Sequence, residues 1–283
     1  MTHEEKKQLE LLALDMREDV LRSTTAAGSG HPGGSLSATD YLAYLYNKEI
    51  RVDPKNPQKP DRDRFVLSKG HAAPALYSAL AHKGFFPVDI LITLRRPNSH
   101  LQGHPSINHT AGVDMSTGSL GQGVSAACGM AKGAKLLNNG ANVYALLGDG
   151  EITEGEVWEA MMFAAHYKLD NLCIAVDVNG LQIDGKTSDV MNSAPLDKKF
   201  EAFGCRVIKI DGHNFDEIER AFKFFHDNKD SQQPTVILMK TVKGKGVSFM
   251  ENQVDWHGKA AKPAECEKAL AELENARKKI LEA

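Results

Sequence analysis

The chain has 283 residues, 42% hydrophobic and 25% charged, with 34 Lys and Arg against 37 Asp and Glu for a net charge of −3. That balance sets aside disordered and fibrous architectures and, lacking a basic excess, argues against general nucleic-acid binding. No apolar run approaches the roughly 20 residues of a membrane-spanning helix, the start MTHEEKKQLE lacks the core of a secretion signal, and Cys128, Cys173, Cys205 and Cys266 show neither metal spacing nor a disulfide framework.

A globular cytoplasmic protein is expected, built as one domain over residues 1–283. Leu9, Leu12, Ala13, Met16 and Val20 recur at helical spacing, one apolar stripe that ends near Ala26-Ala27-Gly28. A second helix is predicted to start near Ser37, where Ser37-x-x-Asp40 has the form of a capping box, and to run through YLAYLY. The Pro- and Asp-rich residues 53–63 read as a loop. Phe65-Val66-Leu67 is a short apolar run, and KGHAAPALYSALAHKG predicts a helix after a turn. Residues 84–119 carry little regular signal but many Gly, Pro, His, Ser and Thr, as functional or mobile stretches do. From Gln122 to Leu137 small and apolar residues predict a helix packed closely on a sheet.

The second half alternates. NVYALLGDG, LCIAVDVNG, CRVIKIDGH and TVILMKTV read as buried strands; EVWEAMMFAAHYKL, FEAFG and FDEIERAFKFFHDN read as helices between them. Continuous apolar strands alternating with helices predict an α/β fold, a parallel sheet flanked by helices on both faces. Beyond Pro263 a charged amphipathic helix carries Ala269, Leu273, Ala276 and Ile280. Binding sites in such folds lie beyond the carboxyl ends of strands.

Gly28-x-Gly30-x-x-Gly33 matches the dinucleotide fingerprint as a string, but that motif needs a strand before it. A long amphipathic helix precedes it here, so the dehydrogenase reading fails on context. The stronger signal is GDGEITEGEVWEA, residues 148–160, with Asn179 after the next strand. Gly148 and Gly150 allow a tight turn and close approach of a phosphate to backbone N–H groups. Asp149 offers a carboxylate, Asn179 an amide oxygen and Leu181 a backbone carbonyl, hard ligands suited to Mg²⁺ beside a diphosphate. Either turn alone would be ordinary; the pair at two strand ends is much rarer. His100 and His104 are four apart, but no third ligand recurs at metal spacing, so zinc is rejected.

The Gly-Asp-Gly…Asn pair resembles the thiamine-diphosphate motif, and the remaining stretches resemble the transketolase family. They are SGHPGG (29–34), LSKGHAAPALY (67–77), GHP (103–105), STGSLGQG (116–123), GDGEITEGEVWEA (148–160), VNGLQIDG (178–185) and WHG (256–258), in order across nearly the whole chain. The resemblance implies a thiamine-diphosphate-binding domain. In it Asp149, Asn179 and the Leu181 carbonyl would hold Mg²⁺, with Ca²⁺ or Mn²⁺ as substitutes. His71, His257, Gly148, Gly150 and Glu151 would line the cofactor, with Gly118, Ser119 and Leu120 along it and Leu120 against its rings. The family often has proline where Ser119 stands. By the same resemblance His31, His104 and His257 would be catalytic, bonding the sugar's carbonyl and hydroxyl oxygens and shuttling protons. On residue type alone, His31 and His104 would sooner be surface or structural histidines. Glu154 and Glu159 match acidic positions between the family's two active sites at the dimer centre; a helix N-terminal turn stabilised by its dipole explains them as well.

Thiamine enzymes need a glutamate to protonate the cofactor's pyrimidine, and in transketolases it comes from a following pyrimidine-binding domain. The sequence stops at Ala283, where the diphosphate domain should end. The resemblance therefore implies the N-terminal subunit of a split transketolase. It would pair with a C-terminal pyrimidine-domain subunit and self-associate to a dimer within an α2β2 assembly, with no nucleic acid and no membrane as partner. A truncated chain is the other reading; the terminal amphipathic helix weakly favours a natural end. The reaction would move a two-carbon ketol unit from a ketose phosphate such as xylulose 5-phosphate to an aldose phosphate such as ribose 5-phosphate, in the pentose phosphate pathway. Competing readings are half of a deoxyxylulose-phosphate synthase-like or 2-oxo acid dehydrogenase-like enzyme, or a non-catalytic thiamine-diphosphate module, for which His31 and His104 would have no use.

Overall fold

The computed structural model describes residues 1–227 and 229–282. Helix α1 (His3–Ala27) starts on Thr2, whose hydroxyl accepts the Glu5 N–H while the Glu5 carboxylate accepts the Thr2 N–H, and stops at Gly28 in the left-handed region. Its buried face is the predicted stripe of Leu9, Ala13, Met16 and Val20. The first glycine of the fingerprint, Gly28, is thus a helix C-cap and the last, Gly33, lies in α2, so a helix and not a strand precedes the string, as its context implied.

Helix α2 (Pro32–Tyr44) starts at Pro32, not at Ser37. The capping-box reading fails because both of its side chains go to distant partners. Ser37 Oγ donates to Asp177 Oδ2 at 2.6 Å, and Asp40 receives Arg17 at 2.5 Å and His213 Nδ1 at 2.7 Å. The true start signal is the proline, whose missing N–H and fixed φ are harmless in the first turn. Every residue of α2 is buried, so no stripe marks its ends.

Then come β1 (Arg64–Leu67), α3 (Ala73–Lys83), an irregular stretch broken by a 3₁₀ segment at Val88–Thr93, α4 (Gln122–Leu137), β2 (Val143–Gly148), α5 (Gly155–His166) and β3 (Leu172–Val178). A short hairpin, β4 (Leu181–Gln182) and β5 (Gly185–Lys186), and the single turn α6 (Thr187–Val190) follow; none was predicted, being too short to show a period. The chain closes with α7 (Leu196–Ala202), β6 (Arg206–Asp211), α8 (Phe215–Asp227), β7 (Thr235–Lys240) and α9 (Pro263–Glu282).

The sheet is parallel throughout, in the order β1-β2-β3-β7-β6. One face packs a core shared by α1, α2, α3, α8 and α9, with Met16, Leu36 and Phe222 in it; the other packs α4, α5 and α7 through Val124, Met161 and Phe200. The route reverses at the far edge. Helix α7 carries the chain outward from β3 on one face, and α8 brings it back to β7 on the other. The connection leaving β3 runs to α7 on one face and the connection leaving β7 runs to α9 on the other, which opens a crevice beyond their carboxyl ends.

Candidate active site

Gly148 of β2 pairs in register with Asp177 of β3, so the turns after these strands lie side by side. Asp149, 3% exposed, accepts the Gly150 N–H at 3.0 Å and the Gly180 N–H at 2.6 Å. Burial, then the neighbouring Asp177 charge, push its carboxyl up to about 6 against these amides. Asn179 Oδ1 accepts the Leu181 N–H at 3.1 Å while its Nδ2 donates to Asp177 Oδ2 at 3.2 Å. Asp149, Asn179 and Leu181 line one cleft of about 320 Å³.

Two lysines that sequence reasoning missed enter the same cleft, each 1% exposed. Lys69 Nζ donates to the Gly34 carbonyl at 2.9 Å and forms a buried ion pair with Asp177. Ser37 and Thr241 donate hydroxyls to the same carboxylate. Lys243 Nζ sits 3.3 Å from the Leu181 carbonyl and 2.7 Å from His257 Nδ1, and burial, then Lys69, draw its ammonium down to about 8. Accepting that ammonium leaves the His257 proton on Nε2.

From the cleft a row of imidazoles leads away. His71 lies on a 3₁₀ turn after β1, its ring 5.1 Å from His257 and 5.4 Å from His31; His31 is 5.6 Å from His257 and 6.1 Å from His104. All four are held toward the neutral form. Burial and then Arg95 bring His31 down to about 4; burial and then Lys243 bring His257 to about 3. His71 is lowered by burial and then Lys69, and His104 by burial and then Arg95. Buried Nδ1 of His31 has no partner among the described residues, so a hydrogen bond from a bound molecule would satisfy it. Tyr77 steadies the far end, its hydroxyl 2.9 Å from the Gln102 carbonyl and 3.0 Å from that of His104.

The remaining predicted residues take varied places. Gly118, φ 147°, passes close to His104: a Cβ there would stand 3.2 Å from the ring. Leu120 lines the cleft, whereas Ser119 is exposed outside it. Gly148 and Gly150 line it too, and a Cβ on Gly150 would come 3.0 Å from Gln182. Glu151 borders the cleft, yet its carboxylate is spent on its own chain: Ser68 Oγ at 2.5 Å and the Gly121 and Gly148 N–H groups at 2.9 Å. It braces the turn. Glu154, the N-cap of α5, sits at the cleft edge, and Glu159 is exposed on α5 away from it.

A larger cavity of about 790 Å³ lies beyond β6 and β7, lined by Asp197, Lys209, Asp211, His213 and Glu217 among others, but none of the site residues singled out from the sequence borders it. Among the described residues no three His, Cys, Asp or Glu side chains cluster to hold a metal. A cation at Asp149 would have one carboxylate, one amide oxygen and one carbonyl, the sparse oxygen set that Mg²⁺ accepts when phosphates and water complete its shell. The carboxyl raised by burial and then by a like charge, the two buried ammonium groups and the glycine-lined walls fit an anionic diphosphate with a divalent cation.

A family profile described as "Transketolase, thiamine diphosphate binding domain" matches residues 8–279. The 6-deoxy-6-sulfo-D-fructose transketolase subunit SqwG of Clostridium sp. (strain MSTE9) is 45% identical over 271 residues, 96% of this chain and 98% of its own. Human transketolase is 43% identical over 273 residues, 94% of this chain but only 42% of its own. The crystal structure of Campylobacter jejuni transketolase superposes with a TM-score of 0.86 at 32% identity, covering 96% of this chain and 45% of the other. The chain thus spans nearly all of the subunit relative and less than half of the longer enzymes. Among the described residues no helix is long and apolar enough to cross a membrane.

Proposed function

The chain belongs to the transketolase family, and from that premise we propose that it is the thiamine-diphosphate-binding N-terminal subunit of a split transketolase. It transfers a two-carbon ketol unit from a ketose phosphate such as xylulose 5-phosphate to an aldose phosphate such as ribose 5-phosphate. The observation that carries the reading is the continuous line from the oxygen-donor turns, past two buried lysines, to four neutral imidazoles. A diphosphate-binding module would need the first half of that line alone.

Asp149, Asn179 and the Leu181 carbonyl would hold Mg²⁺, and Lys69, Lys243, His71 and His257 would hold the diphosphate. The cofactor, when bound, supplies the nucleophilic carbon and the electron sink. The protein orients and moves protons. A neutral imidazole both donates and accepts, so His31 and His104 can bond a sugar hydroxyl or carbonyl oxygen and exchange a proton with it. The buried, unpartnered Nδ1 of His31 is suited to that work. Leu120 would line the end of the cleft that takes the cofactor's rings, and Glu154 and Glu159 would lie at a contact with a second copy of the chain. The pyrimidine-protonating glutamate comes from a C-terminal partner subunit in an α2β2 assembly in the cytoplasm.

Affinity purification of the tagged chain from its source cells tests this. A companion carrying a pyrimidine-binding domain, and ketol transfer by the pair that depends on thiamine diphosphate and a divalent cation, is the expected result. A chain that emerges alone, or a pair without transfer, defeats the proposal. One observation favours a second donor: the relative sharing 45% of its residues is named for 6-deoxy-6-sulfo-D-fructose. Offering that sugar and xylulose 5-phosphate to the same pair ranks them by kcat/KM.

A further inference from the structure

Arg95 has no part in the roles above, yet it stands where the row of imidazoles ends. It lies in the irregular stretch between α3 and α4 with φ 60°, a left-handed conformation uncommon for a residue with a side chain. Its N–H, donating to the Leu101 carbonyl at 2.8 Å, holds the backbone there. The guanidinium packs on Gly103, the neighbour of His104: a Cβ on that glycine would stand 2.7 Å from Arg95 Cζ. Among the described residues the guanidinium finds a protein acceptor only there, the Gly103 carbonyl at a long 3.5 Å, and no carboxylate pairs with it. Its charge is nonetheless felt at both His31 and His104.

The order in space is therefore His71 and His257, then His31, then His104, then Gly103 with Arg95 upon it. A molecule with its carbonyl among the imidazoles and its tail directed outward meets a cation with unused donors. The forked, planar guanidinium suits a tetrahedral oxyanion, and here no ion pair has to be broken to use it.

We propose that Arg95 anchors the terminal oxyanion of the open-chain sugar, phosphate or sulfonate, from this chain's side of the substrate channel. This inference rests on the proposed function, since it assumes that a sugar's reactive end lies among His31, His104 and His257.

The test uses Arg95→Gln and Arg95→Lys in the co-purified pair, with a sugar phosphate, the sulfonate of the same sugar, and the same sugar bearing neither. Arg95→Gln is expected to raise KM for the anionic sugars about tenfold to a hundredfold, the worth of a charge-assisted hydrogen bond. It should leave kcat within a few-fold and the neutral sugar unchanged, and Arg95→Lys should recover part of the loss. A loss with both anions marks a shared oxyanion site, and a loss with one names the tail. Equal losses for charged and neutral sugars would show that Arg95 only keeps the channel in shape, and no loss at all would show that it faces solvent; either overturns the proposal. Calorimetric titration of the full chain with ribose 5-phosphate against ribose decides the matter without turnover. If the wild-type pair transfers no ketol unit, the functional reading falls, while an Arg95→Gln chain that binds ribose 5-phosphate as well as wild type sinks this one separately.

Discussion

Two carboxylates stand next to each other at the ends of adjacent strands and have opposite lives. Asp177, at the end of β3, is wholly buried, and burial alone would raise its pKa; the Lys69 ammonium and the Ser37 and Thr241 hydroxyls outweigh that and hold it below the usual range. Asp149, just past β2, is nearly as buried, but its hydrogen bonds come from two backbone amides. Its carboxyl is pushed up to about 6. One charge is satisfied inside the chain and fastens α2, β1, β3 and β7 together. The other is left short of positive charge at a cleft, the condition under which a bound cation gains most.

The sharpest way to break this contrast is to remove the satisfied carboxylate. Asp177→Ala leaves Lys69 buried without a counter-charge and should cost about 3–5 kcal/mol of stability, read from urea unfolding. Adding Lys69→Met should return much of it, because the pair then leaves together. Next, Asp149→Asn should keep stability within about 1 kcal/mol of wild type, as the charge it deletes is poorly compensated. Its Mg²⁺-dependent affinity for thiamine diphosphate should fall by more than the roughly tenfold to hundredfold typical of removing an outer-shell partner. Titration followed by the fluorescence of Trp256, beside His257, would read it; an unchanged affinity would remove Asp149 from the cation site.

Glu151 is an intermediate case, a buried carboxylate used as a brace. Glu151→Gln loses charge-assisted bonds from Ser68, Gly121 and Gly148 and should cost about 1–3 kcal/mol by thermal or urea unfolding. The smallest effect is on pH. His31 and His257 fall from an ordinary value near 6.5 to about 4 and about 3. The unfolded chain thus binds protons first on acidification, and the stability present above about 6.5 is lost as pH falls toward these lower values. Asp149 works in the opposite sense between its ordinary range and about 6, so it blunts the trend. The urea midpoint of the ligand-free chain should drop between pH 7 and pH 5, and drop less in His257→Gln.

The alternation of strands and helices was legible because each carries its own period; α4 and the four strands of the second half fall where the pattern puts them. The Gly-Asp-Gly and Asn179 turns were legible because they are local strings. The network around Asp177 was not. Its partners lie 108, 140 and 64 residues away, and no local rule connects them. The same distance defeated the capping box, for Ser37 is drawn to Asp177 and Asp40 to His213. Lys69 and Lys243 had weak signals, one inside LSKGH and one in VKGKG, where lysine next to glycine passes for surface. What would have raised them is knowledge of burial, which belongs to the tertiary structure.

Leu120 and Ile183 stand 38% and 64% exposed, Leu120 and Ile183 both on the rim of the cleft. An apolar lip in water lets solvent reach the histidines and weakens every electrostatic contact behind it. A covering surface would bury the lip and dry the site in a single event. Turnover then becomes a property of encounter: on dilution, activity per molecule should decline along an association isotherm, and dialysing out the cofactor should move its midpoint.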